Sequence, residues 1–166
     1  MKIGLLADSH DNVSHLHQAV ELFNTEGVEL VLHAGDFVAP FAIVALQGLR
    51  SRVVAVFGNN DGERVGLTNK FTAAGWEVHP NLAQVEIGGR RIGVVHEPEL
   101  VPALAAGGYY DLVVYGHTHE VEVRRERDTL IVNPGEAGGW LTGRATVALV
   151  ELETLEVQIR DLSASL

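Results

Sequence analysis

Leu30-Val31-Leu32-His33-Ala34-Gly35-Asp36 decides the fold class. It is a nearly continuous apolar run that stops at a glycine and a carboxylate. A run without polar alternation reads as a strand covered on both faces, as in a parallel sheet. Working outward, Lys2 to Ala7 is a second such run and ends at Asp8, and Val53 to Phe57 is a third, ending at Gly58-Asn59-Asn60-Asp61. Between the first two runs, Val13, Leu16, Val20 and Phe23 fall on one face of a helix, with Gly27 past its end as a stop. Pro40 to Gln47 reads as the next helix. Strands alternating with helices in this way predict an α/β fold.

The pattern then changes. Leu82 to Ile87 and Arg90 to Val95 flank Gly88-Gly89, a hairpin signal, and the second arm ends at His96. Pro98 to Ala106 reads as a helix closed by Gly107-Gly108, and Leu112 to Tyr115 as a short strand ending at Gly116-His117-Thr118-His119. Val121 to Arg127 and Leu130 to Val132 form a hairpin turning at Asp128-Thr129; Ala145 to Val150 and Leu155 to Ile159 form another, turning near Glu153-Thr154. His79, before Pro80, falls in a loop with no partner in view. The expected architecture is α/β with two mixed β-sheets packed face to face as a sandwich, flanked by helices. It occupies one domain over residues 1–166, without a repeat or linker.

Composition narrows the function. The 166 residues are 46% apolar, enough for a sizeable core. The uncharged stretch from Phe37 to Leu46 is far shorter than the roughly 18 apolar residues of a membrane helix. The N-terminal run is too short for an export signal, so a cytoplasmic location is expected. The absence of cysteine excludes disulfides, thiolate metal sites and a cysteine nucleophile. Twelve Lys and Arg against 22 Asp and Glu leave a net charge of −10, which argues against nucleic acid and anionic lipid as partners. Homo-oligomers are common at this size, and one is compatible with the sequence.

The acidity has a second reading once the strand ends are compared. Five apolar runs stop at a group that can bind a metal: Asp8, Asp36, Asn59, His96 and His117. His10 and His119 stand two residues beyond the first and last of these. Ligands of open α/β sheets bind beyond the carboxyl ends of strands, so this shared punctuation brings all seven groups to one rim. Oxygen and imidazole donors without sulfur suit Mn²⁺ first, and Ni²⁺, Co²⁺, Fe or Zn²⁺ as well, rather than a closed structural zinc site. Seven donors are too many for one ion and about right for two. Only a carboxylate readily bridges two metals, which leaves Asp8 and Asp36 both open as the bridge. Two cations roughly 3.5–4 Å apart clamp a phosphoryl group for in-line displacement and supply a metal-bound hydroxide nucleophile near neutral pH. No side-chain nucleophile is needed, in keeping with the absence of a Gly-x-Ser-x-Gly elbow and of a P-loop.

Asp8-Ser9-His10, Gly35-Asp36, Gly58-Asn59-Asn60-Asp61, His96 and Gly116-His117-Thr118-His119, in this order, resemble the calcineurin-like metallophosphoesterases. Asn59-Asn60-Asp61-Gly62-Glu63-Arg64 and Asn133-Pro134-Gly135-Glu136 match as well. The spacing is similar to the small, cap-less YfcE-type phosphodiesterases, a branch that includes the retromer scaffold subunit Vps29. The resemblance implies a two-sheet sandwich with no cap domain. It also implies that Asp8, His10 and His119 hold one metal, that Asn59, His96 and His117 hold the other, and that Asp36 bridges. The chemistry then rests on Asp36, His96 and Asn60. Many larger relatives carry histidine where this chain has Asn60, whose amide can bind a phosphoryl oxygen but cannot deliver a proton. Many relatives also have glycine after the counterpart of His96; here Glu97 and Pro98 follow, placing a negative charge near the substrate path without touching the ligands.

The implied activity is hydrolysis of small phosphodiesters. The competing readings are a non-catalytic scaffold of the Vps29 kind, which need not keep all four metal histidines, and a nuclease, which the charge disfavours. Several other residues have ordinary expectations. His33 reads as a core histidine with a satisfied hydrogen bond, His15 and His17 as solvent-facing, Arg64 as paired with a nearby acid, and Asn12 as a helix cap. Trp140 suits either core packing or an exposed loop.

Overall fold

The computed structural model describes residues 1–162. Strands β1 (Lys2–Leu6), β2 (Leu30–His33) and β3 (Arg52–Val56) run parallel, and β4 (Glu77–His79) extends them at one edge. Strands β10 (Thr146–Glu151) and β11 (Glu156–Asp161) join antiparallel at the other edge, giving the order β11-β10-β1-β2-β3-β4. The second sheet has the order β5-β6-β7-β9-β8, formed by β5 (Leu82–Ile87), β6 (Arg90–Val95), β7 (Leu112–Val114), β8 (Val121–Glu126) and β9 (Thr129–Pro134). Both sheets are mixed, as the sequence predicts.

The alternation of side chains along each buried strand produces the layers. Ile3, Leu5, Leu30, Leu32, Val54 and Val56 point between the sheets and meet Ile92, Val94, Leu112, Val114 and Val132. Leu6, Val31, Val53 and Ala55 point the other way, toward helices α1 (Val13–Thr25), α2 (Pro40–Leu46) and α3 (Arg64–Ala73). On the far face of the second sheet, Val95, Val113 and Ile131 pack against Val101 and Ala105 of α4 (Val101–Ala106), which continues a single 3₁₀ turn over 98–100. Helix α1 buries Leu16, Ala19, Val20 and Phe23, and the Asn12 side chain caps it by accepting from the His15 backbone N–H at 3.2 Å.

Helix α3 and strand β4 depart from the expectation. α3 buries only Leu67 and Phe71, so its apolar stripe is too thin to read, and β4 has three residues. His79 therefore ends a strand beside Val56 rather than lying in a loop, and its Nε2 is 3.7 Å from the Glu77 carboxylate. The β8–β9 turn falls one residue earlier than expected, at Arg127-Asp128, with Arg127 at φ 52°. Thr129 belongs to β9 because it is buried and its hydroxyl donates to the Tyr110 carbonyl at 2.8 Å. No described helix is long and apolar enough to cross a membrane.

Candidate metal centre

The parallel strands β1, β2 and β3 deliver Asp8, Asp36 and Asn59 to one rim, and β6 and β7 of the facing sheet deliver His96 and His117 to the same place. The two rims are tied together: the His117 backbone N–H donates to both oxygens of the Asp8 carboxylate, at 3.0 and 3.2 Å. All seven predicted ligands converge. Asp8, His10 and His119 form one group with donor atoms within 4.8 Å of one another, and Asp8, Asp36 and His96 form another. The Asn59 Oδ1 lies 2.8 Å from His96 Nε2 and 2.9 Å from His117 Nδ1. Asp36 Oδ2 lies 3.6 Å from His10 Nε2 and equally 3.6 Å from His96 Nε2, so one oxygen faces both groups. Asp8 Oδ1 faces His119 at 3.6 Å and His10 at 3.9 Å.

Holding these side chains inward strains the backbone. Asp8 (φ 51°), His10 (41°), Asp36 (60°), His117 (72°) and His119 (62°) all occupy the left-handed region, which non-glycine residues rarely adopt. Strain of this sort concentrates where the surrounding structure over-determines a ligand site. Gly58 is required by proximity: a Cβ there would collide with Asp36 Oδ1.

The electrostatics fit cations. Burial first, then the Asp36 charge, pushes the Asp8 carboxyl up to about 8. Burial also holds His10 below its usual value, despite the acids around it. A neutral imidazole has a lone pair to give, and a cation between Asp8 and Asp36 replaces their repulsion with attraction. His96 is set for the same task. Its Nδ1 donates to the Ala34 carbonyl at 2.7 Å, which leaves Nε2 free to face the rim. The residues present thus suit divalent metal.

The sequence profile of the calcineurin-like phosphoesterase superfamily domain matches residues 1–155. The chain belongs to this superfamily. It is 38% identical over 159 residues to phosphodiesterase MJ0936 of Methanocaldococcus jannaschii, covering 94% of this chain and 96% of the relative. A solved structure described as a novel archaeal phosphodiesterase superposes with a TM-score of 0.93 at 36% identity, covering 97% of this chain and 99% of the other. The fold alone is shared with Vps29 of Chaetomium thermophilum, at a TM-score of 0.72 and 18% identity over 97% and 94% of the two chains.

Within this phosphoesterase fold, several residues have roles the sequence did not signal. The Asp61 carboxylate accepts from the backbone N–H groups of Asp36, Val38 and Gly58 at 3.0, 2.8 and 2.7 Å, fixing two ligand loops at once. Buried Glu136 accepts from the N–H groups of Trp140, Leu141 and Thr142 and from the Thr142 hydroxyl, at 2.8–3.1 Å. Burial pushes the Glu136 carboxyl up, but these donors outweigh it and hold the group below the usual range. Its Oε1 also faces His119 Nδ1 at 3.3 Å. Both acids lie in blocks that match the family, yet neither ends a strand in a way that marks it.

Asn60 lies at the cavity, where its amide donates to Asp36 Oδ2 at 2.7 Å and its backbone N–H to Oδ1 at 2.8 Å. Glu97 comes closer to the ligands than expected: its Oε2 is 4.0 Å from His117 Nδ1, within a group that includes His96. His33 is a buried, satisfied histidine. Gly35 N–H donates to its Nδ1, so Nε2 carries the proton toward Ser9 Oγ at 3.2 Å, and burial keeps the ring neutral. His17 is exposed as expected, whereas His15 turns to the Gly138 carbonyl, 3.0 Å from its Nδ1. Arg64 donates to the Asp61 and Gly58 carbonyls at 3.0 and 3.1 Å instead of pairing with an acid, because the carbonyls of its own loop lie nearer. Trp140 is exposed.

Proposed function

We propose that the chain is a metal-dependent phosphodiesterase that hydrolyses small phosphodiesters at a dinuclear centre, within a single domain lacking a cap. Asp8, His10 and His119 hold one cation, Asn59, His96 and His117 hold the other, and Asp36 is shared. The observation that carries this reading is the position of Asp36 Oδ2, 3.6 Å from a histidine of each group. When bound, such a pair of cations lowers the pKa of a water for attack at phosphorus and offsets charge on the phosphoryl oxygens. The chain's own groups orient this arrangement. Asp61 and the Asn60 amide fix the Asp36 carboxylate, and the His117 N–H fixes that of Asp8. The Asn60 side chain has a second amide N–H to offer a phosphoryl oxygen but no acidic proton for a leaving group.

Four histidines aimed at one rim exceed what a binding scaffold requires, which supports the enzyme over a Vps29-like role. The acidic surface supports small diesters, carrying one charge, over monoesters and nucleic acids. The test is metal analysis after saturation and desalting, joined to turnover of diesters and monoesters with Mn²⁺, Ni²⁺, Co²⁺, Fe²⁺ or Zn²⁺ restored to stripped protein. Two ions per chain and faster cleavage of activated diesters than of alkyl monoesters are expected. One ion or none with the fold intact would sink the dinuclear reading.

A further inference from the structure

We propose that Val38, Trp140 and Leu141 form a wall that seats a planar aromatic ester group of the phosphodiester, an inference that rests on the activity proposed above. A cavity of about 380 Å³ opens beside the first ligand group. It is lined by the polar His10, Asn60, His119 and Glu136 and by the apolar Val38, Trp140 and Leu141. The volume lies toward the lower end of the roughly 300–1,000 Å³ common for small-molecule sites. A phosphate held at the histidines therefore directs one ester substituent onto an apolar surface.

That surface is held in place at a cost. Trp140 is 63% exposed and Leu141 78% exposed, an unfavourable position for large apolar side chains in water. Nevertheless their backbone N–H groups are anchored on buried Glu136 at 2.8 and 3.0 Å. The indole is fixed too, because Trp140 Nε1 donates to the His10 carbonyl at 2.9 Å. With its N–H engaged, the indole offers an aromatic face for offset stacking. Val38 adds the third element. A β-branched residue at φ 82° is strained, and the Asp61 carboxylate holds it there through the Val38 N–H at 2.8 Å. Two buried carboxylates thus fix an apolar surface next to metal-binding side chains.

The opposite flank of the centre differs. Its cavity is about 110 Å³ and includes Arg64, Asn81 and Glu97. Phe57 and Leu100 line it as well, but it is under a third the size of the first cavity and carries the Glu97 carboxylate and the Arg64 guanidinium, so the larger cavity takes the ring. The net charge of −10 further favours a substituent without charge of its own.

The test uses phenylphosphonate and methylphosphonate, two stable anions that differ only in the ring, bound to metal-loaded protein and measured by calorimetry. Wild type should bind the phenyl compound about tenfold more tightly, the scale of stacking one ring on an indole. Trp140→Ala should reduce that ratio below about threefold, while Trp140→Phe retains most of it. Leu141→Ala, which leaves the indole and its tie to His10 in place, should lower the ratio by a smaller factor and serves if Trp140→Ala does not fold. Tryptophan fluorescence should be quenched by the phenyl compound and not the methyl one, and the quenching should vanish in Trp140→Phe. Equal affinities in wild type, a ratio unchanged by these variants, or no binding of either compound would overturn the proposal. Aromatic preference in a protein that hydrolyses no ester with any metal would instead count against the proposed activity and leave the wall standing.

Discussion

The two halves of the proposed centre are built from similar donors but surrounded differently. Asp8, His10 and His119 sit under the Trp140 loop, and His119 Nδ1 faces the buried carboxylate of Glu136 at 3.3 Å. Asn59 and His117 open to solvent while His96 is buried between them: the His96 Nδ1 rests on the neutral Ala34 carbonyl, and half-exposed Glu97 stands beside His117. A partner behind a ligating histidine fixes its ring and raises its basicity; His96 Nδ1 already has one in the Ala34 carbonyl, whereas His119 Nδ1 lies near the Glu136 charge without a hydrogen bond. The difference is one of enclosure: a fixed loop covers one half, and the exposed edge at Asn59 and His117 leaves the other room for ligand exchange. The enclosed half should hold its cation more tightly, and the open half should accept several metals.

The largest effect should come from the group the two halves share. Asp36→Asn should lower turnover by more than about 10³-fold, beyond the roughly 10–100-fold typical of partners one step removed from the metal. Both cations should bind more weakly in calorimetry, because an amide carries no charge to share. Metal-free Asp36→Asn should nevertheless melt at or above the wild-type temperature, since the substitution removes the charge that repels Asp8. A variant that binds two metals normally would remove Asp36 from the bridge and break the division into halves.

Glu136→Gln should come next, and its effect should be one-sided. Metal affinity in the enclosed half should fall by about 10–100-fold, while the Asn59, His96 and His117 half changes little. Titration of the stripped variant would show one weakened and one preserved binding event. Equal weakening of both would mean that the Glu136 carboxylate supports the rim as a whole, through the 140–142 loop, and not His119 in particular.

The convergence of the seven candidate residues was legible from strand ends, because five of them follow a buried apolar run, His10 and His119 stand two residues beyond, and parallel strands gather such ends together. The distribution of labour behind the ligands was not legible. Asp61 and Glu136 act through backbone N–H groups, whose positions depend on loops that take left-handed conformations at Asp36 and Val38. No side-chain pattern encodes those conformations. Choosing Asp36 over Asp8 as the bridge likewise rests on resemblance; Asp36 Oδ2 is equally distant from His10 and His96, and Asp8 also lies in both donor groups. The fold was readable where burial was two-sided, as in β1, β2 and β3. It was unreadable in α3, where two buried residues leave the rest of the helix polar or exposed.

The smallest effect separates two roles for Glu97. As a charge beside the substrate path, it repels a monoester with nearly two charges more than a diester with one. The carboxylate is half-exposed and screened, so its effect resembles that of a surface pair, about 0.2–1 kcal/mol for each unit of charge. Glu97→Gln should then lower the KM of an aryl monoester about 1.4-fold to 5-fold relative to that of a diester, with metal affinity unchanged. High salt should reduce the difference between wild type and variant, because the interaction passes through solvent. The alternative is direct participation. Glu97 shares a group with His96 and His117 whose donor atoms lie within 4.8 Å, near enough for its carboxylate to complete the open half. In that case Glu97→Gln would weaken one metal and leave the other intact, and salt would not restore it. An unchanged KM ratio together with that one-sided loss would place Glu97 among the ligands and make the open half the more strongly charged of the two.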